Sequence, residues 1–324
     1  MVVAAPGTLR RMSDFDVLVL GDANPDLVLS GDEVVPAFGQ AERLVDDARF
    51  VVGGSGAIFA CGAAKLGLRV AFAGVVGDDI FGKFMQTELQ GHGVDTSGVA
   101  VVANRPTGVT VVLSGRHDRA MLTHAGTTGE LRRSMIDADL LRRAGHVHVS
   151  SYFLQRSLVP ELPALLKEAR SADTSTSVDP NWDPTGIWDD GLLALLPDVD
   201  VFLPNEVEAL SLARISVVDD AIGRLRSSGA GTVVVKSAAR GAVAGQASDL
   251  IHQPAIPTRL VDSTGAGDSF DAGFLAAFLA QEPLQRCLEI GNVCGALSTL
   301  AIGGTAGQPT MAEALAALGK SSLP

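Results

Sequence analysis

Residues 261–280 read VDSTGAGDSFDAGFLAAFLA, and this segment constrains the fold more strongly than any other. Phe270, Phe274 and Phe278 lie at positions i, i+4 and i+8, which is the spacing of one helix face. The glycines before them suit a turn, so the helix is expected to begin at about Gly265. The segment therefore predicts a helix with a buried apolar face that follows a glycine-rich turn.

The turn before this helix is suited to holding an anion. Gly265, Ala266 and Gly267 have small side chains or none, so backbone N–H groups at the positive helix end stay approachable. Asp268 follows in the first turn, where a carboxylate could accept a proton from a substrate hydroxyl. The simpler alternative is a glycine turn with an ordinary N-terminal acid. A dinucleotide-binding fingerprint is disfavoured, because Phe270 stands where its last glycine belongs.

Outward from this segment, short β-branched runs alternate with helical patterns. Such alternation indicates a mostly parallel sheet covered by helices on both faces, which is a three-layer α/β/α fold. One helix of the pattern, residues 55–66, presents an apolar face and stops at Gly67. The strand-like runs are FDVLVLG (15–21), RVAFAGV (69–75), HVHVS (146–150), VDVFLPN (199–205) and GTVVVKS (231–237).

Two segments interrupt this alternation and carry more charge, residues 28–50 and 105–124. Their own short extended runs, such as GVTVVLS, predict a small β lid beside the main sheet. We expect one domain over residues 14–317 that includes the lid. Residues 1–13 and 318–324 are interpreted as flexible tails.

The composition excludes several classes of protein. With 47% hydrophobic and 19% charged residues among 324, the chain is too apolar to be disordered. A formal charge of -12 argues against a nucleic-acid partner, which would select for clustered Lys and Arg. The three cysteines, Cys61, Cys287 and Cys294, have no CxxC spacing, and no apolar run is long enough to span a membrane. An acidic cytoplasmic enzyme without a membrane partner is the expectation.

The glycine-rich turn resembles the DTxGAGD signature of the PfkB, or ribokinase-like, family of carbohydrate kinases. Residues 262–268 read DSTGAGD, with Ser263 as the single departure. The family's N-terminal signature is similar to GGSGAIFACGAAKLG at 53–67, followed by VGDDIFG at 76–82. The resemblance extends over about 16–317. It implies a ribokinase-like fold and a kinase that uses ATP and Mg²⁺.

The resemblance also implies residues for the phosphate acceptor. Asp26, with Asn24 as its neighbour, would hydrogen-bond sugar hydroxyls, and this carboxylate chemistry suits a neutral polyol. Gly53 and Gly54 would let the backbone approach the same small molecule. Without the family, the Asn-Pro-Asp run is equally well a turn at a strand end. Ile58 replaces an Asn that commonly contacts a substrate hydroxyl in the family.

For the nucleotide, the resemblance implies a set of residues spread over the second half of the chain. Glu208, in an NxxE motif, would steer Mg²⁺ through water, because Mg²⁺ keeps part of its hydration shell. Read without the family, this motif is an Asn-capped helix with acids in its first turn. The nucleotide-binding residues are expected to be Asn181, Asn205, Lys236, Ser237, Gly241 and Asn292.

Two further features of the family are weaker expectations here. Asp262 and Thr264, with carbonyls around 296–305, could hold an activating K⁺ ion. A homodimer through lid-to-lid β pairing would cover exposed strand edges. His146 and His148 lie on one face of a strand with no third ligand nearby, so they are predicted to be a packed or exposed pair and not a metal site.

The function implied is transfer of the γ-phosphoryl group of ATP to a hydroxymethyl group of a small, neutral sugar. Asp268 would be the base, beneath an anion hole of backbone N–H groups. A nucleoside kinase would need aromatic stacking, for which Phe50 and Phe153 are candidates. A 2-keto-3-deoxygluconate kinase is weakened by Asp183, where such enzymes often carry Arg. A sugar-sensing protein that has lost the chemistry is the alternative outside catalysis.

Overall fold

The computed structural model describes residues 13–115 and 119–320. These ranges contain thirteen β-strands and ten α-helices, joined by short loops and 3-10 turns. The strands are β1 (Val17–Leu20), β2 (Asn24–Ser30), β3 (Asp47–Gly53), β4 (Val70–Gly77), β5 (Asp95–Val102), β6 (Val109–Ser114), β7 (Arg119–His124), β8 (His146–Val149), β9 (Ser175–Val178), β10 (Val201–Phe202), β11 (Thr232–Lys236), β12 (Ala242–Gln246) and β13 (Asp249–Gln253). The helices are α1 (Ser55–Lys65), α2 (Ile80–Gly91), α3 (Ala138–Arg142), α4 (Leu162–Ser171), α5 (Leu192–Leu195), α6 (Glu206–Ala213), α7 (Val218–Ser227), α8 (Ala266–Leu279), α9 (Leu284–Ser298) and α10 (Met311–Ala317).

Nine of the described strands form one sheet in the order β13-β12-β11-β10-β9-β8-β1-β4-β5. The pairs from β11 to β5 are all parallel, whereas β12 pairs antiparallel with both β11 and β13. The predicted mostly parallel sheet is therefore confirmed. Four of its strands, β5, β9, β12 and β13, were absent from the strand-like runs recognised in the sequence.

Strand β1 shows why the fold has three layers. Val17 and Val19 face a core built with α1, α8 and α9, whereas Leu18 and Leu20 face a second core built with α4 and α7. All four side chains are fully buried. A strand covered on both sides reads as a continuous apolar run, because alternate side chains point to opposite faces. The central strands thus carry one helical layer on each face.

The predicted lid is a separate four-stranded sheet in the order β3-β2-β6-β7. Segments 28–50 and 105–124 both contribute strands to it, which confirms the prediction. The lid begins earlier than predicted, because β2 starts at Asn24 and β3 ends at Gly53. Residues 116–118 of the second segment, and the predicted tails at 1–12 and 321–324, lie outside the described residues.

Helix α8 begins where the phenylalanine spacing predicted. Gly265 is its N-cap in the left-handed conformation, with φ of 70°. Phe270 and Phe274 are buried and stack on each other, and Phe278 stacks on Phe274. Within the described ranges, no helix is both long enough and apolar enough to cross a bilayer.

Candidate active site

Polar side chains collect where the parallel strands end. Asp22 follows β1, Ser151 follows β8, and Asp179 and Asn181 follow β9. Lys236 is the last residue of β11. The carboxyl ends of parallel strands meet at one edge of the sheet, and open α/β proteins bind ligands there. This edge is therefore the candidate site.

The N-terminus of α8 is the part of this site where an anion is predicted to bind. Gly267 is exposed there, whereas the Ala266 N–H donates to the Ser263 carbonyl at 3.3 Å. The Ser55 hydroxyl donates a hydrogen bond to a carboxylate oxygen of Asp268. Loss of solvent around the carboxylate, together with the negative charge of Asp179, raises the pKa of Asp268 to about 7. An acid with this pKa can accept a proton near neutral pH.

The residues predicted to hold the acceptor lie together at the start of the lid. Asn24 pairs with Gly53 across β2 and β3, and the Asn24 and Asp26 side chains are buried. A Cβ atom on Gly53 would lie 2.1 Å from a carboxylate oxygen of Asp26, so only glycine fits there. Gly54 has φ of 81° and runs against Asn24. The structure thus brings all four predicted acceptor residues to one place.

The buried carboxylate of Asp26 lies near other acidic side chains. Burial and the negative charges of Asp22 and Asp262 raise its pKa to about 7, against the opposing charge of Arg119. The carboxyl is therefore close to half ionised at neutral pH. Its affinity for a hydroxyl donor should depend on pH in this range.

Asp22 was not recognised in the sequence, although it is the buried residue that joins the two parts of the site. Its carboxylate accepts hydrogen bonds from the backbone of Ser55 and Gly56, at 3.3 and 3.1 Å, and from the Ser151 hydroxyl at 3.0 Å. It therefore fixes the N-terminus of α1, where Ser55 contacts Asp268. An acid directly after a buried strand was the available signal.

Asn205 and Glu208 form a reciprocal cap at the N-terminus of α6. The Asn205 side chain accepts from the Glu208 backbone at 3.0 Å, and the Glu208 carboxylate accepts from the Asn205 backbone at 2.8 Å. The capped-helix interpretation of the sequence is therefore confirmed. Burial and the charge of Asp179 raise the pKa of Glu208 to about 7. A role for Glu208 in steering Mg²⁺ stays a prediction.

Lys236, which was predicted to bind nucleotide, ends strand β11. Its ammonium is nearly buried and lies between two carboxylates, 3.1 Å from Asp179 and 2.8 Å from Asp271. The turn itself begins after Lys236, where the Ser237 N–H donates to the Gly241 carbonyl at 2.7 Å. The ammonium is therefore engaged by two carboxylates, and contact of Lys236 or of the turn with a nucleotide stays a prediction.

The other two asparagines predicted to bind nucleotide make internal contacts. Asn181 donates from its side-chain amide to the Ser151 hydroxyl at 3.0 Å. Asn292 is buried on α9 and donates to the carbonyls of Gln253 and Pro254, at 3.2 and 3.3 Å. Asn292 thus packs the end of β13 against α9, and nucleotide contact by either residue stays a prediction.

The residues predicted for a monovalent cation are already engaged. One oxygen of Asp262 accepts from the backbone and hydroxyl of Thr264, and the other accepts from the Gly303 backbone at 2.9 Å. Arg119 of the lid donates to the Thr264 hydroxyl at 2.9 Å and lies 3.6 Å from Asp262. A bound K⁺ would have to compete with this guanidinium for the same carboxylate, and the ion stays a prediction.

Ile58 lies beside the glycine turn that precedes α8. It is 3% exposed and packs against the glycine turn, since a Cβ on Gly265 would lie 2.8 Å and one on Gly304 2.4 Å from its side chain. Its effect is thus to support the anion-binding turn from below. His146 and His148 are buried side by side and bond the Ser177 hydroxyl at 2.6 and 2.8 Å, which confirms the packed pair.

The sequence resembles carbohydrate kinases over nearly its whole length. A profile of the pfkB family of carbohydrate kinases matches residues 14–311. A fructokinase from Klebsiella pneumoniae is 33% identical over 316 residues, which cover 90% of this chain and 96% of that protein. An ATP-dependent ribose-1-phosphate kinase from Halopiger xanaduensis is 32% identical over 308 residues, which cover 93% of this chain and 97% of that protein.

The fold is similar to that of a solved structure with bound nucleotide. A candidate ribokinase II from Escherichia coli, in complex with ATP and Mg²⁺, superposes with a TM-score of 0.83. The two chains are 25% identical, and the match covers 93% of this chain and 98% of the other. Sequence and fold therefore agree on the same group of proteins.

Proposed function

We propose that this chain, which belongs to the pfkB family of carbohydrate kinases, transfers the γ-phosphoryl group of ATP to a hydroxymethyl group of a small, neutral sugar. As a member of this family it is a phosphotransferase with an alcohol group as acceptor. The observation that carries the finer proposal is the position of Asp268. It lies at the accessible N-terminus of α8, and its pKa is about 7.

In the proposed reaction, Asp268 takes the proton from the acceptor hydroxyl as the oxygen attacks the γ-phosphorus. Ser55 orients the carboxylate through its hydroxyl. The N–H groups of Ala266, Gly267 and Asp268 would bind the charge on the transferring group, because the positive end of the α8 dipole favours anionic oxygens. ADP is the leaving group.

The residues present fit MgATP. Gly267 is exposed, so phosphate oxygens can reach the helix N-terminus, and the Ser237 to Gly241 turn lies at the end of the neighbouring strand β11. Within the described residues no three His, Cys, Asp or Glu side chains converge as a ready cation site. The phosphates and water would therefore hold most of the Mg²⁺ coordination sphere, with Glu208 the nearest proposed carboxylate. Bound Mg²⁺ supplies positive charge to the phosphates.

The acceptor side supports a neutral sugar in preference to a nucleoside. Asp26 and Asn24 offer hydrogen bonds that suit hydroxyl groups. Of the two aromatic candidates for base stacking, Phe153 is 5% exposed and packs on Trp188, which leaves only Phe50, on the lid. Asp183 accepts from the backbone of its own turn and cannot pair with an acidic sugar.

One observation favours a second candidate, a phosphorylated sugar as acceptor. Arg119 extends from the lid strand β7 to Thr264, beside the anion-binding turn. A guanidinium in that position could bind a phosphate on the acceptor. The relative that phosphorylates ribose 1-phosphate makes this class worth testing.

We also propose that the exposed lid strand β7 pairs with a second copy of this chain.

The test is release of ADP from MgATP with a panel of pentoses, hexoses, keto-deoxy acids, sugar phosphates and nucleosides. The expected result is turnover with a neutral sugar, and its loss in Asp268→Asn. Turnover confined to sugar phosphates would replace the neutral acceptor by the second candidate. A sugar that raises the melting temperature without any ADP release would indicate a sensor and overturn the proposal.

A further inference from the structure

The buried ion pair network behind the anion-binding turn has no role in the reaction described so far. Lys236 at the end of β11 contacts Asp179, which follows β9, and Asp271 on α8. The side chain of Asp271 is 1% exposed, that of Asp179 6% and that of Lys236 11%. Burying three ionisable groups is costly unless they are paired. Their pairing joins two strand ends to the helix that carries Asp268.

The charges in this network do not balance by simple pairing. One ammonium faces two carboxyl groups, and one oxygen of Asp271 is buried without any hydrogen-bond partner. Asp179 contacts Asp271, and burial raises the pKa of Asp271 well above its ordinary value. Lys236 holds the pKa of Asp179 below its ordinary value. Burial therefore favours the neutral form of Asp271, whereas Lys236 favours the ionised form of Asp179.

The ammonium lies directly behind the anion-binding turn. A Cβ atom on Gly267 would be 3.7 Å from the Lys236 Nζ atom, so the missing side chain leaves this charge close to the first helical N–H groups. Asp268, one residue further along, is surrounded by negative groups on other elements, namely Asp22, Asp179 and Glu208. Lys236 is the cation among them.

We propose that Lys236 is a positioning residue for phosphoryl transfer, which holds the α8 N-terminus against the strand ends and keeps Asp268 ionised as a proton acceptor. This inference rests on the proposed function of Asp268. Its physical basis is that a cation near a carboxylate favours the charged form, whereas neighbouring carboxylates oppose it. Lys236 lowers the pKa of Asp268, and Asp179 raises it.

Two substitutions with opposite charge effects test this assignment. Lys236→Met removes the cation, so the acidic limb of the kcat profile should move up by about one pH unit. The loss should be roughly tenfold at pH 6.5 and small at pH 9, with the KM for ATP nearly unchanged. Asp179→Asn removes an anion, so the same limb should move down. Lys83→Met, at an exposed lysine 3.3 Å from Asp78, is the matched control without a shift.

Several results would overturn the inference. An equal loss at every pH in Lys236→Met, with no shift of the limb, would mean that the lysine only supports the fold. A raised KM for ATP with an unchanged pH profile would mean that it binds nucleotide. If Lys236→Met fails to fold, Lys236→Arg and Asp179→Asn decide. The arginine variant should keep the wild-type limb, and a shift of either variant in the wrong direction contradicts the proposal.

Failure of the proposed function is recognised separately. A wild-type protein without turnover on any acceptor would remove the kinase reaction itself, whatever the variants do. A wild-type protein with turnover, and with Lys236→Met and Asp179→Asn both at the wild-type limb, would retain the reaction and reject only the role of Lys236.

Discussion

The two sides of the candidate site are built from different material. The proposed transfer side, around Asp268 and Lys236, rests on strand ends of the central sheet and on α8, and the ion pairs of Lys236 are nearly buried. The acceptor side, around Asn24 and Asp26, belongs to the lid, whose outer strand β7 is exposed at every residue. We therefore expect residues of the core to carry out the phosphoryl transfer, and residues of the separate lid sheet to determine which acceptor binds.

This division has a simple energetic basis. A buried network resists change, because each member loses its partners when one is removed. The lid is a single four-stranded sheet whose outer strand β7 is exposed, so substitutions on that strand should cost little stability. Acceptor specificity can thus change in such a molecule without disturbing the transfer residues.

The largest effect is expected on the transfer side. Asp268→Asn removes the proton acceptor, so kcat should fall by about 10² to 10⁴, the usual contribution of a general base. The KM of the acceptor should change little, because the group acts in the transition state. Steady-state kinetics with the acceptor identified in the panel measures both. Near-normal kcat would remove Asp268 from its role.

A substitution on the acceptor side should mainly change the KM of the acceptor. Gly53→Ala places a methyl group 2.1 Å from an Asp26 oxygen, so the carboxylate must move away from the acceptor. Loss of a charge-assisted hydrogen bond should raise the acceptor KM by about 10- to 100-fold. The KM for ATP should stay within a factor of about three.

Gly91→Ala, on α2, is the matched control for this substitution. Nothing lies within 4 Å of a Cβ at that position, and the helix tolerates alanine. Equal effects on the KM of ATP and of the acceptor in Gly53→Ala would show that the two sides are not separable.

A smaller effect is expected on stability. The folded pKa of Asp26 is about 7, above its unfolded value of 3.8, so its contribution to stability is present below about pH 4 and lost as the pH rises to 7. The groups that face it are Asp22, Asp262 and Arg119. Asp26→Asn removes this loss, so urea unfolding should show a gain about 2–3 kcal/mol larger at pH 8 than at pH 5.

Asp47→Asn provides the comparison within the lid. This partly exposed carboxylate pairs with Arg49 at 2.6 Å, which lowers its pKa, so its removal should bring no gain at pH 8. A gain in Asp47→Asn equal to that in Asp26→Asn would point to the net charge of the chain and not to the acceptor site.

The smallest effect concerns the outer surface of the lid. Phe38, between β2 and β3, is completely exposed. Substitution of such an exposed residue usually changes the free energy of unfolding by less than about 0.5 kcal/mol. Leu122→Ser on β7, at a side chain 63% exposed, should be equally mild in a monomer. If copies pair through the lid, the melting temperature of the wild type should rise with protein concentration, and Leu122→Ser should abolish that rise. A concentration-independent melting temperature would reject the dimer.

The strongest local patterns predicted most of the fold and part of the site. The phenylalanine spacing located α8, and the glycine pair at 53–54 located the turn that approaches Asp26. Both patterns depend on residue types that have few alternatives, a helix face in one case and a missing Cβ in the other. The lid was recognised because its two segments carry more charged residues than the rest of the chain.

Contacts between residues that are far apart in the sequence could not be predicted from local sequence patterns. Asp22 and Asp271 join elements that are far apart in sequence, so neither stands out beside its neighbours. Lys236 was predicted to contact the nucleotide, and its ion pairs with Asp179 and Asp271 were missed because those partners come from distant segments of the chain. The missed strands β9 and β12 are short and rich in small residues, and their strand character comes from pairing with neighbours.

Helix α8 has a consequence for how the protein is made. It follows every strand of both sheets along the chain, yet Asp268 on it must reach Ser55 near the beginning. A ribosome therefore releases the whole sheet before the residue that would remove the proton, and Gln308, still later, ties α1 to α8 through Ile58 and Ser269. Because α8 and α9 also bury one face of the central sheet, a chain that stops before them would lack both Asp268 and two of the helices that complete the core.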